Sequence, residues 1–195
     1  ILKAHKTWST PRQWVEHLRQ VPLGPNIISF LGHSDLRVGV MGLSRATDLS
    51  TQPTEEELKT MERLLKEALD EGFLGLSTMC LKWDKVDGDR EWSKSLPSTY
   101  ARWSEIARLN KLVRAYNRVH QGAPNAATPL QILQYVRECL GWLRQPLKTT
   151  LISQMDLKGS AYLTNLTKLT SRVTNALRGD FRWQVLPTPF TVYAD

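Results

Sequence analysis

The pattern of apolar and polar positions is most regular at residues 54–79. Apolar residues recur there every three or four positions, which predicts one face of an amphipathic helix. Thr54 and Glu57 form a capping box at its start, and Gly72 lies where a helix ends in a left-handed residue. The apolar run 73–76 then predicts a strand covered on both faces.

The same alternation of helix and strand continues along the chain. Thr-Pro pairs at Thr10 and Thr128 predict two further helix starts, because proline is tolerated in the first helical turn. Other helices are predicted to begin at Ser98 and to cover about 163–177, and the helix from Thr128 is expected to reach about Arg144. Strands are predicted near residues 27–32, 73–77, 117–120, 149–153 and 181–186.

This order predicts a parallel α/β fold with right-handed crossovers. An open doubly wound sheet and part of an eight-stranded barrel both fit. No glycine-rich nucleotide-binding sequence follows the first strand, as an open nucleotide-binding sheet would have. Polar residues lie at the carboxyl ends of successive predicted strands, which is where barrels build their active sites. We therefore favour a partial (β/α)8 TIM-type barrel, with residues 1–195 as a single segment of about five parallel strands and further strands missing on both sides.

Composition limits the classes of partner. The net charge is +7, but Lys and Arg alternate with Asp and Glu along most helices, so we expect no nucleic-acid partner. No apolar run approaches 18 residues, which argues against a membrane span. Two cysteines are too few for a disulfide framework, and this favours a reducing, cytoplasmic location.

Several polar residues are candidates for chemistry at the strand ends. His33 is either an acid–base group or ligand, or a loop histidine that ties down its own turn. Arg37 either binds an anion or pairs with Asp35, and pairing is the favoured alternative. His120 is either a metal ligand or a satisfied polar residue at a sheet edge. The residues expected to converge on the barrel mouth are His33, Ser77, His120, Ser153 with Gln154, and Gln184.

Two stretches carry a resemblance to a known family. Residues 26–37 (NIISFLGHSDLR) and 71–78 (EGFLGLST), separated by the capped helix, are similar to the middle of N-acyl-D-amino-acid deacylases. These enzymes form the D-aminoacylase branch of the amidohydrolase superfamily. The resemblance is good from Trp8 to Thr78 and is topological beyond that point.

The resemblance implies a metal-dependent barrel that hydrolyses amide bonds, with zinc as the metal. His120 matches the position of one family histidine. A second family histidine is replaced by Gln154, and the family's substrate-binding lysine corresponds to Asp156 or Lys158. From the strand ends and the resemblance together we predict that His33, Arg37, Ser77, Gln154, Lys158 and Gln184 contact substrate and that His120 binds metal.

The leading hypothesis is therefore the central part of a D-aminoacylase-like hydrolase that acts on N-acylated small molecules. By itself this segment is expected to be inactive. The alternative is a catalytically inactive relative that binds a ligand in the same mouth. Because a five-stranded arc leaves apolar edges uncovered, the chain is expected to assemble with the remaining barrel segments or with a second copy.

Overall fold

The computed structural model describes residues 6–125, 129–141, 144–152 and 161–185. It contains one sheet of five parallel strands in the order of the chain. The predicted α/β architecture is thereby confirmed, although the strand ends differ from the predicted ones by up to three residues. The strands are β1 (Phe30–Gly32), β2 (Gly75–Met79), β3 (Val119–Ala123), β4 (Lys148–Ile152) and β5 (Phe181–Gln184).

Helices connect the strands. They are α1 (Pro11–Gln20), α2 (His33–Met41), α3 (Leu43–Ala46), α4 (Glu55–Asp70), α5 (Trp103–Ala115), α6 (Pro129–Cys139) and α7 (Ala161–Ala176), with a 3-10 turn at Pro97–Tyr100 before α5.

The helix α4 begins as its sequence predicts. The Thr54 hydroxyl accepts a hydrogen bond from the Glu57 amide (3.2 Å), and the Glu57 carboxylate accepts one from the Thr54 amide (2.8 Å). Gly72 follows the helix with φ of 96°. On the exposed side of α4, the Lys66 ammonium lies 2.8 Å from the carboxylate of Asp70.

Three helical regions differ from the prediction. The sequence does not predict the helices α2 and α3. Gly32 caps α2 without any side-chain hydrogen bond, so the start of this helix has no capping residue that a sequence pattern would reveal. Ser98 lies within the 3-10 turn Pro97–Tyr100, and the following helix begins only at Trp103. The helix α6 ends at Cys139, five residues before the predicted end.

Alternation along the strands gives the sheet two distinct faces. One row of paired residues runs Leu76–His120–Thr149–Phe181 and is buried. Leu76 packs with residues of α2, α4 and α5, and Phe181 packs with residues of α6. We call this the helix face.

The adjacent row runs Ser77–Gln121–Thr150–Arg182 and lies on the opposite side, which we call the open face. Its first three members are only half-buried, and Arg182 is exposed. In a closed barrel, the face opposite the helices lines the interior. The open face is therefore where a barrel site would be built.

Apolar side chains remain exposed on several elements of this arc. Within the described residues, no helix has the length and hydropathy to cross a lipid bilayer. The exposed apolar side chains include Ile27, Ile28, Leu133, Leu166, Leu169, Val173 and Val185.

Gly75 allows β2 and β3 to approach each other. A Cβ atom at this position would lie 1.7 Å from the carbonyl oxygen of Val119, and backbone cannot move aside as a side chain can. We expect Gly75→Ala in the full-length protein to lower the free energy of unfolding by about 3 kcal/mol. Urea unfolding measures this loss. Gly24→Ala is the control, because no atom lies within 4 Å of its added Cβ; equal effects of the two changes would contradict the assignment.

Candidate functional site

His33 and Arg37 belong to a buried polar network on the helix side of the sheet. The two ring nitrogens of His33 lie 2.9 Å from Ser98 Oγ and 2.9 Å from Glu105 Oε1. Arg37 donates to the other oxygen of Glu105. All four side chains are buried. This network joins the carboxyl end of β1 to the 3-10 turn and to the first turn of α5.

Glu105 is the centre of this network. Burial disfavours its ionisation, but hydrogen bonding and charge attraction from His33 and Arg37 outweigh burial and lower its pKa. Arg37 thus pairs with Glu105, so the pairing with Asp35 favoured by the sequence is wrong. His33 starts a helix and binds distant residues, and it does not tie down a loop of its own.

Ser98, His33 and Glu105 form a line of hydrogen bonds with the order of a catalytic serine–histidine–carboxylate relay. Ser98 Oγ is also 2.8 Å from Ser34 Oγ, and Ser98 is only 1% exposed. Arg37 occupies the second oxygen of the carboxylate. Since the hydroxyl is enclosed and already bonded, the arrangement is structural within the described residues.

His120 lies on the helix face. Its Nε2 is 3.1 Å from the Thr78 hydroxyl, which is in turn 2.9 Å from the Tyr135 hydroxyl, and its ring stacks on that of Tyr135. Complete burial, with a further contribution from the charge of nearby His33, lowers the pKa of His120 to about 3. The imidazole is therefore neutral at physiological pH and packed behind the sheet.

The open face carries Ser77 and Gln121 at the middle of β2 and β3, and Gln184 at the carboxyl end of β5. Gln121 on β3 donates through Nε2 to Oε1 of Gln184 on β5 at 3.3 Å, so the two side chains reach across β4. The sequence prediction includes Ser77 and Gln184 but not Gln121. Strand alternation is the signal that could have found Gln121, because a buried His120 requires its neighbour to face the other way.

The structure therefore brings together only part of the predicted site. Ser77 and Gln184 share the open face, whereas the prediction that His120 points to the same axis is wrong. His33 and Arg37 are fully buried and do not reach the open face. Gln154 and Lys158 lie outside the described residues, and contact of any of these residues with substrate stays a prediction.

The side chains of the described residues do not fit a zinc site. No three His, Cys, Asp or Glu side chains in that part of the chain are grouped so that they could hold a metal ion. Cys80 and Cys139 are buried free thiols, and burial raises the pKa of Cys80 to about 11 and that of Cys139 to about 12. The open face offers neutral amides and hydroxyls, which are poor zinc ligands.

Sequence comparison finds similar proteins in mycobacteria. Uncharacterized proteins of Mycobacterium tuberculosis and Mycobacterium bovis are 42% identical over the whole chain, and the chain spans 32% of their length. No protein-family model matches the sequence. The chain thus spans about a third of the curated relatives that it matches.

Two deacylases of Alcaligenes xylosoxydans xylosoxydans match over shorter stretches. An N-acyl-D-aspartate deacylase is 38% identical over 71 residues, which are 36% of this chain and 13% of the deacylase. A D-aminoacylase is 37% identical over 65 residues, which are 33% of this chain and 12% of that enzyme.

Solved structures extend the similarity across the sheet. A D-aminoacylase described as having a binuclear metal centre superposes on 93% of this chain with a TM-score of 0.65 and 18% identity. This chain has a D-aminoacylase-type fold. The N-acyl-D-glutamate deacylase of Bordetella bronchiseptica, solved with zinc and a phosphonate inhibitor, superposes on 93% of the chain with a TM-score of 0.69 and 17% identity.

These comparisons confirm the family resemblance and the partial barrel. The chain corresponds to 34% of the D-aminoacylase and 35% of the N-acyl-D-glutamate deacylase, so it matches one portion of a larger D-aminoacylase-type barrel. The strands β1–β5 supply an arc of the wall of that barrel, and the open face is its inner surface.

Replacing Glu105 tests the buried network of this D-aminoacylase-type segment. Glu105→Gln in the full-length protein leaves the guanidinium of Arg37 buried without a counter-charge. We expect the free energy of unfolding to fall by about 3–5 kcal/mol. The control is Glu56→Gln, since this side chain is 82% exposed and pairs only with Lys59; its expected effect is below about 1 kcal/mol. Urea unfolding compares the two, and similar losses would rule out the central role of Glu105.

His120 gives the segment a distinct pH dependence. Unfolded His120 takes up a proton near pH 6.5, while the folded state does so only near pH 3. The unfolded state therefore binds more protons between these values, and stability falls as pH decreases. We expect His120 to contribute a slope of up to about 1.4 kcal/mol per pH unit.

Unfolding free energies at pH 7.0, 6.0 and 5.0 measure this slope in the wild-type full-length protein and in His120→Gln. This range lies above the ordinary pKa of carboxylates, so the contribution of Glu105 is avoided. The variant should lose the part of the slope that belongs to the histidine. Parallel curves for the two proteins would show that His120 is not buried in neutral form.

Proposed function

We propose that the protein containing this chain is a D-aminoacylase-like amidohydrolase that acts on the amide bonds of N-acyl-D-amino acids or related small molecules. The 38% identity to an N-acyl-D-aspartate deacylase, in a chain with a D-aminoacylase-type fold, carries this proposal. In this proposal the segment β1–β5 forms part of the barrel wall. The polar residues on the open face support a role in holding the substrate.

Zinc is the metal expected from the family resemblance, and the related N-acyl-D-glutamate deacylase contains zinc. The described residues do not form its site, so the proposed enzyme would take its metal ligands from outside them. No step of hydrolysis is assigned to side chains of this segment. Their proposed part is to bind and orient the acylated substrate at the carboxyl ends of the strands.

A binding protein without catalytic activity is the second candidate. The features that favour it are Gln154 at the place of a family histidine and the position of His120 behind the sheet. Such a protein would bind an N-acylated ligand in the same mouth and leave it intact. Catalysis and binding therefore have to be measured separately.

The activity test uses the full-length protein with N-acetyl-D-methionine and its L-enantiomer as probes. Release of free methionine is followed with a reagent for primary amines, and metal content is measured by mass spectrometry on the same preparation. Hydrolysis of the D-enantiomer supports the enzyme. Binding of the probe by calorimetry, without release of amine, supports the second candidate, and neither binding nor hydrolysis contradicts both.

His120→Ala separates the position of this residue from its predicted role as a metal ligand. Because the imidazole packs against Thr78 and Tyr135, we expect the variant to contain the same amount of metal per protein as the wild type. Metal loss in a variant that keeps its wild-type circular dichroism would show that His120 is a ligand after all.

A further inference from the structure

We draw no further inference here: the strongest candidate, the surface patch formed by the exposed side chains of Trp83 and Trp92 on the loop between β2 and the 3-10 turn, is an apolar surface for which nothing in the structure shows what covers it.

Discussion

Strand alternation in a parallel register is the constraint on which this structure depends. Five strands pair in chain order, so residues of neighbouring strands line up in rows across the sheet. A row packed against helices must be apolar or internally satisfied, and the next row is free for polar groups. Gln121 and His120 are therefore neighbours in sequence, but their side chains lie on opposite faces of the sheet.

The helix face shows how such a row accepts polar residues. His120 is held by Thr78 and Tyr135, and burial keeps its imidazole neutral. Nearby, Glu105 carries a charge that His33 and Arg37 compensate, and Arg37 has no exposed surface. The Arg37 guanidinium needs the Glu105 carboxylate as its counter-charge, since an unpaired buried charge costs several kcal/mol. The motif around residues 32–37 thus fixes β1, α2 and α5 relative to one another.

The D-aminoacylase-type fold indicates where a binding site would lie, and the side chains of this segment indicate which chemical groups are present there. The fold places the open face on the inner wall of a barrel, whose binding sites lie at the carboxyl ends of the strands. Among the described side chains, that wall carries the neutral groups Ser77, Gln121 and Gln184 together with the exposed Arg182, and no cluster of metal ligands. The proposed function assigns binding of the organic portion of the ligand to this part of the wall and the chemistry to residues outside the described ones.

The sequence by itself determined the local features of the fold. The capping box of Thr54 and Glu57, the glycine after α4 and the five apolar runs act over a few residues, so their consequences could be predicted without tertiary contacts. The family resemblance followed from contiguous stretches for the same reason. The helix α2 escaped prediction because its glycine cap carries no side-chain signal.

Only the tertiary structure decided which polar residues form a site. The partner of Arg37 is 68 residues away, and Gln121 meets Gln184 across 63 residues, so no local pattern could indicate either pair. The side of the sheet on which His120 lies depends on the phase of β3 relative to its neighbours. That phase is set by the packing of Leu76 and Phe181 against helices, a contact that forms only when the whole arc has folded.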